Sequence, residues 1–362
     1  MPTNRSKLDL SKFNFSEEQI RAINELVFEE LLATPELNAL HSIWTGIEYK
    51  REIGFITGHG LVGKKKQGCN PTAHDWNINT RKVVWDPVQW QVIITECADK
   101  LDNTAAFYSK HHGVRMDDLT DTDYMEIVKK VLIEAIKEAI FRFIWFNDKD
   151  AENANSSGLI TEGLDLDYFN LLDGFFKQLQ TAVTEDSTRL VTIEANAKTT
   201  KEEQLAAMTP EAAYNLLNAM YYKLPITVRA NGDSRTKGEV RFMLTQTIVD
   251  AYEQYLMGKD LQITYDNLIE GVKSFKFHGV TVIPVPKWDE MIQAYNDLGD
   301  TYYKPHRALL IERENLAVGL PTTEAFEDVD IFFDKTTKLN HIETADQLDA
   351  KLLNFERFVY AQ

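Results

Sequence analysis

The feature that most constrains the fold is one long amphipathic segment, DYMEIVKKVLIEAIKEAIFRFIWFND, which begins at Asp123. Apolar side chains recur at helical spacing from Val128 to Phe143, and charged side chains such as Lys130 and Glu134 lie opposite them. At ~1.5 Å per residue, about 25 residues span roughly 37 Å. The segment therefore predicts a long helix with one buried face, which acts as a spine for the elements around it.

Composition sets broad limits on the class of protein. A chain of 362 residues can form two domains, or one large domain with arms. The hydrophobic fraction of 44% and the charged fraction of 26% are ordinary for a soluble globular protein. No apolar run approaches the ~18 residues of a membrane helix, and the first residues lack the apolar core of a signal peptide. Cys69 and Cys97 form no paired motif and predict ordinary thiols in a reducing compartment.

Charge is unevenly distributed along the chain. The formal net charge is −17, which argues against sequence-independent binding of the whole chain to nucleic acid. The segment 49–95 nevertheless carries seven basic and three acidic residues, a charge of +4, so the remainder carries −21. The basic residues are Lys50, Arg51, Lys64, Lys65, Lys66, Arg81 and Lys82. Such a segment could bind nucleic acid locally, or it could dock on the acidic surface of another copy of the chain.

The basic segment contains GHGLVGKKK, which matches the first seven positions of the phosphate-binding loop G-x-x-x-x-G-K-S/T. That loop must lead into a helix, and its hydroxyl binds magnesium. Here Lys65 replaces the hydroxyl residue, and Gly68 and Pro71 prevent the helix. Because the flanks REIGFIT and NTRKVVW are β-prone, we interpret the segment as a long hairpin with a basic tip.

Other candidate sites fail on residue type or spacing. The run NDKDAENANSSGL resembles a calcium loop, but Asn153 stands at the glycine position and Leu159 at the glutamate position. His111 and His112 are adjacent, so their rings point apart. The aromatic clusters FRFIWF and AMYYKLP lie in or beside apolar helical stripes, which favours core packing over base stacking. We therefore predict no catalytic residue, no metal site and no cofactor.

The remaining segments predict a mixture of helices and strands. Helices are expected at SEEQIRAINELVFEELLA, PELNALHSIW, ECADKLDNTAAFYSKHH, YFNLLDGFFKQLQTAV and PEAAYNLLNAMYYKL. Strands are expected at ITVRA, EVRFMLT, VTVIPVP and RALLIE, and the chain after Glu312 is expected to be extended up to FERFVY. The polar run from Asn147 to Gly158 is the best domain break. These elements predict an α+β protein.

This order of elements resembles the major capsid protein of tailed bacteriophages, which has the Hong Kong 97-like fold. The match covers nearly the whole chain, including FHGVTVIPVPKW, RALLIERENLAVGL and the terminal FERFVY. The resemblance implies an N-terminal arm and helix at 1–48 and an extended β-hairpin loop at 49–95. It also implies a peripheral domain at 96–160 and 312–362, which contains the spine helix, and a compact axial domain at 161–311.

The resemblance implies a structural subunit, not an enzyme, that self-assembles into hexamers and pentamers of an icosahedral shell. Its partners would be other copies, with a separate scaffolding protein and a portal, weakly held packaged DNA and no membrane. The expected location is the virion capsid, assembled in the cytoplasm of the bacterial host. The inter-subunit contact candidates are Lys64, Lys65, Lys66, Arg81 and Lys82.

Two features depart from many relatives. The chain reaches its extended loop by about residue 50, so we expect any scaffold to be a separate protein or absent. No acceptor can be assigned for a cross-link from a loop lysine. Three alternatives stay open at this stage: a cellular nanocompartment shell, a portal or connector protein, and a cytoplasmic α+β enzyme whose site has no familiar motif.

Overall fold

The structure is a computed structural model. It describes residues 35–47, 49–58, 78–97, 123–229, 240–269, 272–321, 330–334, 336 and 339–362. The basic tip at 59–77 and the helix expected at SEEQIRAINELVFEELLA lie outside these residues. The helix expected at ECADKLDNTAAFYSKHH also lies outside them, apart from its first two residues.

Helices and strands alternate along the described chain. The helices are α1 (Pro35–Leu40), α2 (Asp123–Phe146), α3 (Phe175–Glu185), α4 (Lys201–Ala207), α5 (Pro210–Lys223), α6 (Ile226–Arg229), α7 (Gln246–Met257) and α8 (Pro286–Tyr295). The strands are β1 (Ser42–Trp44), β2 (Arg51–Gly58), β3 (Ile78–Trp85), β4 (Val88–Cys97), β5 (Leu190–Val191), β6 (Val240–Leu244), β7 (Asp266–Ile269), β8 (Val272–Phe277), β9 (Val280–Pro284), β10 (Ala308–Glu312), β11 (Leu316–Gly319), β12 (Asp330–Asp334), β13 (Leu339–Leu352) and β14 (Phe358–Ala361).

A five-stranded sheet is built around the long strand β13. This strand pairs antiparallel with β4 from Leu339 to Leu348, and with β12 and β11 at its two ends. The strand β1 then pairs parallel with β11. Leu348, Ala350 and Leu352, two residues apart along β13, lie on the face that belongs to the larger core. The predicted extended C-terminal region is thus confirmed.

The second large sheet has seven strands, some parallel and some antiparallel. Their order is β5-β14-β10-β6-β9-β8-β7. The central strands β14, β10, β6 and β9 are buried on both faces, so their sequences are largely apolar, whereas β8 alternates between buried and exposed residues. Along β10, Leu309 and Ile311 join the core that contains α2, whereas Ala308 and Leu310 join the core against α5 and α7. The predicted strands EVRFMLT, VTVIPVP and RALLIE are confirmed as β6, β9 and β10.

The predicted spine helix is confirmed as the 24-residue helix α2. Its C-terminal half lies in the larger core, between the five-stranded sheet and the helices α3 and α8. At its centre Trp145 is 0% exposed, and its ring contacts those of Trp288 at 4.7 Å and of Phe175 and Phe176 at 5.0 Å. The aromatic cluster FRFIWF is therefore core, as predicted.

Three local predictions were wrong at element ends. The helix expected at PELNALHSIW stops at Leu40, because His41 is buried on Trp145 and Phe175 and Ser42–Trp44 pair with β11. The helix expected at YFNLLDGFFKQLQTAV begins only at Phe175. The backbone of Gly174 approaches the α2 terminus so closely that an added Cβ would lie 2.9 Å from the carbonyl carbon of Trp145. The run ITVRA forms the single helical turn α6 instead of a strand.

The last strand separates from the segment that precedes it. Although β11, β12 and β13 belong to the five-stranded sheet, β14 pairs with β10 and β5 in the seven-stranded sheet. The region 312–362, which the resemblance assigns to the peripheral domain, therefore contributes to both sheets. The assigned domain boundaries themselves stay a prediction.

Candidate functional site

The extended hairpin is the first candidate surface. The strands β2 and β3 pair antiparallel over their full length, from Arg51 opposite Trp85 to Gly58 opposite Ile78. They form a two-stranded sheet of their own, outside the two larger sheets. The β-prone flanks of the basic segment thus form the hairpin that the sequence predicts. A two-stranded ribbon is only marginally stable alone, so its base must be held by other elements.

The base of the hairpin is held by a buried tryptophan. Trp85 is completely buried in a small core with Val83, Ile47, Ala317 and Leu353. Next to it, the backbone N–H of Asp86 donates a hydrogen bond of 2.7 Å to Oδ2 of Asp349 on β13. One apolar anchor and one charge-assisted hydrogen bond therefore fix the hairpin to the five-stranded sheet.

Gly319 leaves room for the side chain of Trp85, because glycine has no Cβ. A Cβ at position 319 would lie 2.8 Å from the six-membered ring of Trp85. We expect Gly319→Ala to displace the indole and to lower the free energy of unfolding by about 1–3 kcal/mol, as overpacking does. Urea denaturation measures the loss, and limited proteolysis of the hairpin reports its release.

The matched control is Gly54→Ala on β2, where an added Cβ meets no atom within 4 Å. We expect this variant to change the free energy of unfolding by less than about 1 kcal/mol. Equal effects of the two substitutions would contradict the anchoring role of Trp85.

The predicted contact residues are distributed unevenly over the hairpin. Lys82 is exposed and forms an ion pair of 3.1 Å with Glu52 on the opposite strand. The backbone of Arg81 pairs with Phe55. Lys64, Lys65 and Lys66 belong to the tip, which lies outside the described residues. The structure therefore brings Arg81 and Lys82 together on β3, and the inter-subunit role of all five residues stays a prediction.

Two buried carboxylates lie on β13 near the hairpin. Asp346 is opposite Trp90 on β4, on the face that packs against α2, and its Oδ2 has no hydrogen-bond partner. Burial raises the pKa of Asp346 to about 7. Burial also raises the pKa of Asp349, although Lys351 and the N–H of Asp86 favour its charged form. Single polar residues in a buried strand carried no sequence signal, so sequence reasoning missed both.

A second exposed surface surrounds the end of α5. The guanidinium of Arg229 lies 5.4 Å from the ring of Tyr221 and 5.3 Å from that of Tyr222, and His278 stacks on Tyr221 at 4.8 Å. Tyr222 is 62% exposed and Ile226 is 67% exposed. The interpretation of AMYYKLP as core was therefore wrong for Tyr222. We call Tyr221, Tyr222, Ile226, Arg229 and His278 the aromatic surface, in which Tyr221 and Arg229 are half-buried and the other three are exposed. Tyr and Arg at a surface are typical of protein interfaces.

Metal centres and membrane-spanning helices are two other classes of site. Within the described ranges, no three His, Cys, Asp or Glu side chains gather as metal ligands. None of the helices that the structure describes is long and apolar enough to cross a membrane.

Comparison with known proteins depends on structure alone, because no family model and no curated protein matches the chain. A chain of the satellite phage P4 procapsid, solved with its size determination (Sid) protein, aligns with a TM-score of 0.54 at 12% identity. The alignment covers 93% of this chain and 90% of that chain. The chain has the Hong Kong 97-like capsid fold.

Two further structures score lower, and the fold assignment does not depend on them. The capsid of Myoviridae phage XM1 aligns with a TM-score of 0.47 at 9% identity, over 87% of this chain and 86% of that chain. The holo-SrpI encapsulin complex from Synechococcus elongatus PCC 7942 aligns with a TM-score of 0.44 at 11% identity, over 91% and 87%. The alignment with the P4 procapsid chain confirms the predicted fold class.

Proposed function

We propose that the chain is the structural subunit of a phage or prophage icosahedral capsid. It self-assembles into hexamers and pentamers, which form the DNA-containing head. The observation that carries this proposal is the alignment with a procapsid chain, which covers 93% of the sequence.

The hairpin supplies the first contact between copies. Its tip carries Lys64, Lys65 and Lys66, and the rest of the chain is strongly acidic, so one copy offers a basic arm and its neighbour an acidic surface. Lys82 is paired with Glu52 in the isolated chain, but this exposed pair contributes only about 0–1 kcal/mol. Lys82 therefore remains available to acidic groups of the neighbouring copy, and Arg81 is a further candidate on the same strand.

The aromatic surface supplies the second contact. Tyr222 and Ile226 are covered when copies associate, and Arg229 and His278 lie at their edge. Many such contacts of modest strength close a shell, because each subunit repeats them in every capsomer. The net charge of −17 keeps packaged DNA weakly bound.

The proposed role is structural, without catalysis or a cofactor. Its partners are other copies of the chain, a separate scaffolding protein and a portal. Assembly takes place in the cytoplasm of the bacterial host, and the final location is the virion capsid.

Electron microscopy of the purified chain tests the proposed function. Negative-stain images across salt and protein concentration are expected to show hexamers, pentamers, sheets or shells. Nuclease-protected nucleic acid in particles isolated from the host would distinguish a phage head from a cellular shell. A chain that stays monomeric under all these conditions and binds a nucleotide, with that binding lost in Lys64→Ala, would rule out the capsid role.

Charge reversal of the tip is the sharper test. We expect Lys64→Glu, Lys65→Glu and Lys66→Glu together to abolish assembly, because three repulsive charges then face an acidic neighbour. The folded subunit should keep its unfolding midpoint, since the base of the hairpin is anchored elsewhere, at Trp85. Electron microscopy and thermal unfolding measure the two properties.

The matched control reverses three exposed lysines outside the hairpin, Lys198, Lys259 and Lys276, and so makes the same change in net charge. We expect the control variant to assemble and the tip variant to fail to assemble. Normal assembly of the tip variant would show that the tip is only a solvated loop.

A further inference from the structure

The aromatic surface combines exposed apolar area with positive charge. Tyr222 is 62% exposed and Ile226 is 67% exposed, and the exposed Lys223 follows Tyr222 at the end of α5. The guanidinium of Arg229 lies beside the same tyrosine ring. In the part of the chain that the structure describes, neither Lys223 nor Arg229 forms an ion pair with a carboxylate. A partner of this surface should therefore supply apolar contact and negative charge together.

A surface of the opposite charge lies in the segment 159–168. Tyr168 is 58% exposed and Leu159 is 37% exposed. The carboxylates between them are exposed, and none of them forms an ion pair among the described residues. The segment contains no lysine and no arginine. We call Leu159, Glu162, Asp165, Asp167 and Tyr168 the acidic surface.

The acidic surface is held in place by the elements beneath it. The N–H of Thr161 donates a hydrogen bond of 2.9 Å to the carbonyl oxygen of Tyr295, at the end of α8. Nε of the half-buried Arg142 on α2 donates to the carbonyl oxygen of Tyr168 at 3.3 Å, and its guanidinium lies 5.5 Å from the centre of that ring. Three carboxylates exceed this one cation, so the surface keeps a negative charge.

The two surfaces are carried by elements on opposite faces of the seven-stranded sheet. The helix α5 packs in the core that contains Ala308 and Leu310 of β10. The helix α8, which holds the acidic surface, packs in the core that contains Leu309 and Ile311 of the same strand. A subunit with two different complementary surfaces makes head-to-tail contacts, and such contacts close into rings when the rotation between copies allows it.

We propose that the aromatic surface of one copy binds the acidic surface of the next copy in the same capsomer. This inference rests on the proposed capsid function and adds which two surfaces meet. The apolar side chains of both surfaces cover one another, while Lys223 and Arg229 face the carboxylates. Other exposed apolar side chains, such as Tyr49 beside Lys50, would instead bring a further cation against Arg229.

Two double variants test the contact by charge reversal. Lys223→Glu with Ile226→Glu makes the aromatic surface acidic, and Glu162→Lys with Asp167→Lys makes the acidic surface basic. All four side chains are exposed, so both variants should keep the unfolding midpoint of the parent. Each variant alone should raise the protein concentration at which rings form by at least ~10-fold, because like charges then meet. Native mass spectrometry counts the copies in each ring.

Mixing the two variants gives the most specific result. In an equimolar mixture the copies can alternate around a ring, so that opposite charges meet at every junction. We expect hexamers to return and pentamers to stay absent, because a ring of five must place two copies of one variant side by side. All four substitutions in a single chain should restore both hexamers and pentamers.

The matched control is Met257→Glu with Lys259→Glu, which makes the same change at two exposed positions outside both surfaces. We expect it to form rings at the concentration of the parent. If the two charge-reversal variants also do so, this inference is wrong and the proposed capsid function stands. If both fail and neither the mixture nor the combined chain recovers, the two surfaces do not meet each other, which also overturns the inference. A parent chain that forms no ring under any condition would overturn it too.

Discussion

Trp145→Ala is expected to lower the free energy of unfolding by about 3–5 kcal/mol, the range for removal of a fully buried tryptophan. Trp145 joins elements that are distant in the sequence, since its ring contacts Phe175 on α3, Trp288 on α8 and His41 after α1. Loss of the indole leaves a cavity that these rigid elements cannot close. Urea denaturation followed by far-UV circular dichroism measures the shift in midpoint.

The same substitution at Trp44 is the control. Trp44 is 36% exposed and lies at the edge of the small core, with its ring 6.2 Å from that of Trp85. We expect Trp44→Ala to cost about 1 kcal/mol. Similar losses for the two variants would show that the cluster around Trp145 does not organise the core.

Asp346→Asn is expected to stabilise the protein at neutral pH and to remove part of its pH dependence. Below about pH 4 Asp346 is protonated in both the folded and the unfolded state, so its ionisation does not change the free energy of unfolding. As the pH rises from about 4 to about 7, the unfolded chain loses this proton and the folded chain keeps it, so stability falls. A folded-state pKa of about 7, against an ordinary value of 3.8, corresponds to about 4 kcal/mol above pH 7.

Asparagine keeps the oxygen that accepts the N–H of Gln347 but does not ionise. The variant should therefore exceed the parent in stability by several kcal/mol at pH 7.5 and by little at pH 4, as measured by urea denaturation at each pH. His41 acts in the opposite direction, because burial lowers its pKa to about 3 and stability falls as the pH drops from 6.5. This contribution is common to both proteins and cancels in their difference.

Glu162→Gln, at an exposed position, is the control for loss of one carboxylate. We expect its difference from the parent to be small at every pH. A stability difference for Asp346→Asn that does not change between pH 4 and pH 7.5 would contradict the buried, protonated state of Asp346.

The two buried carboxylates lie on β13, and one of them binds the base of the hairpin. Asp349 binds the backbone of Asp86 at the hairpin base, and Asp346 lies three positions earlier on β13. The sheet that carries the hairpin thus contains groups whose charge depends on pH. In the proposed capsid, the hairpin is the element that reaches a neighbouring copy. Assembly therefore depends on the contacts that hold the hairpin base as well as on the residues of its tip.

Sequence periodicity was sufficient for the large elements. The apolar stripe of α2 and the continuous apolar runs of β6, β9 and β10 predicted these elements, because their burial requires those patterns. The order of elements predicted the capsid fold, which the procapsid alignment confirms. Short elements such as α6 were predicted wrongly, since four residues carry too little periodicity to separate a turn of helix from a strand.

Of the two candidate surfaces, the basic hairpin could be predicted from the sequence and the aromatic surface could not. The charge of the tip lysines and the β-prone flanks indicated a basic hairpin directly. The exposure of Tyr222 did not follow from its apolar neighbours, because the same pattern describes a buried residue until the helix packs on one particular face. The pairing of Lys82 with Glu52 required the register of β2 and β3, which only the folded hairpin defines.

The sequence by itself determined the class of elements, their order and the separation of a basic segment from an acidic body, since these properties depend on local pattern and composition. Only the tertiary structure decided which polar groups are buried without partners, such as Asn147 and Asp346, and that β14 joins the sheet of β10. These features depend on contacts between residues far apart in the chain. Local propensity carries no information about such contacts, because burial and pairing are fixed only when distant segments pack together.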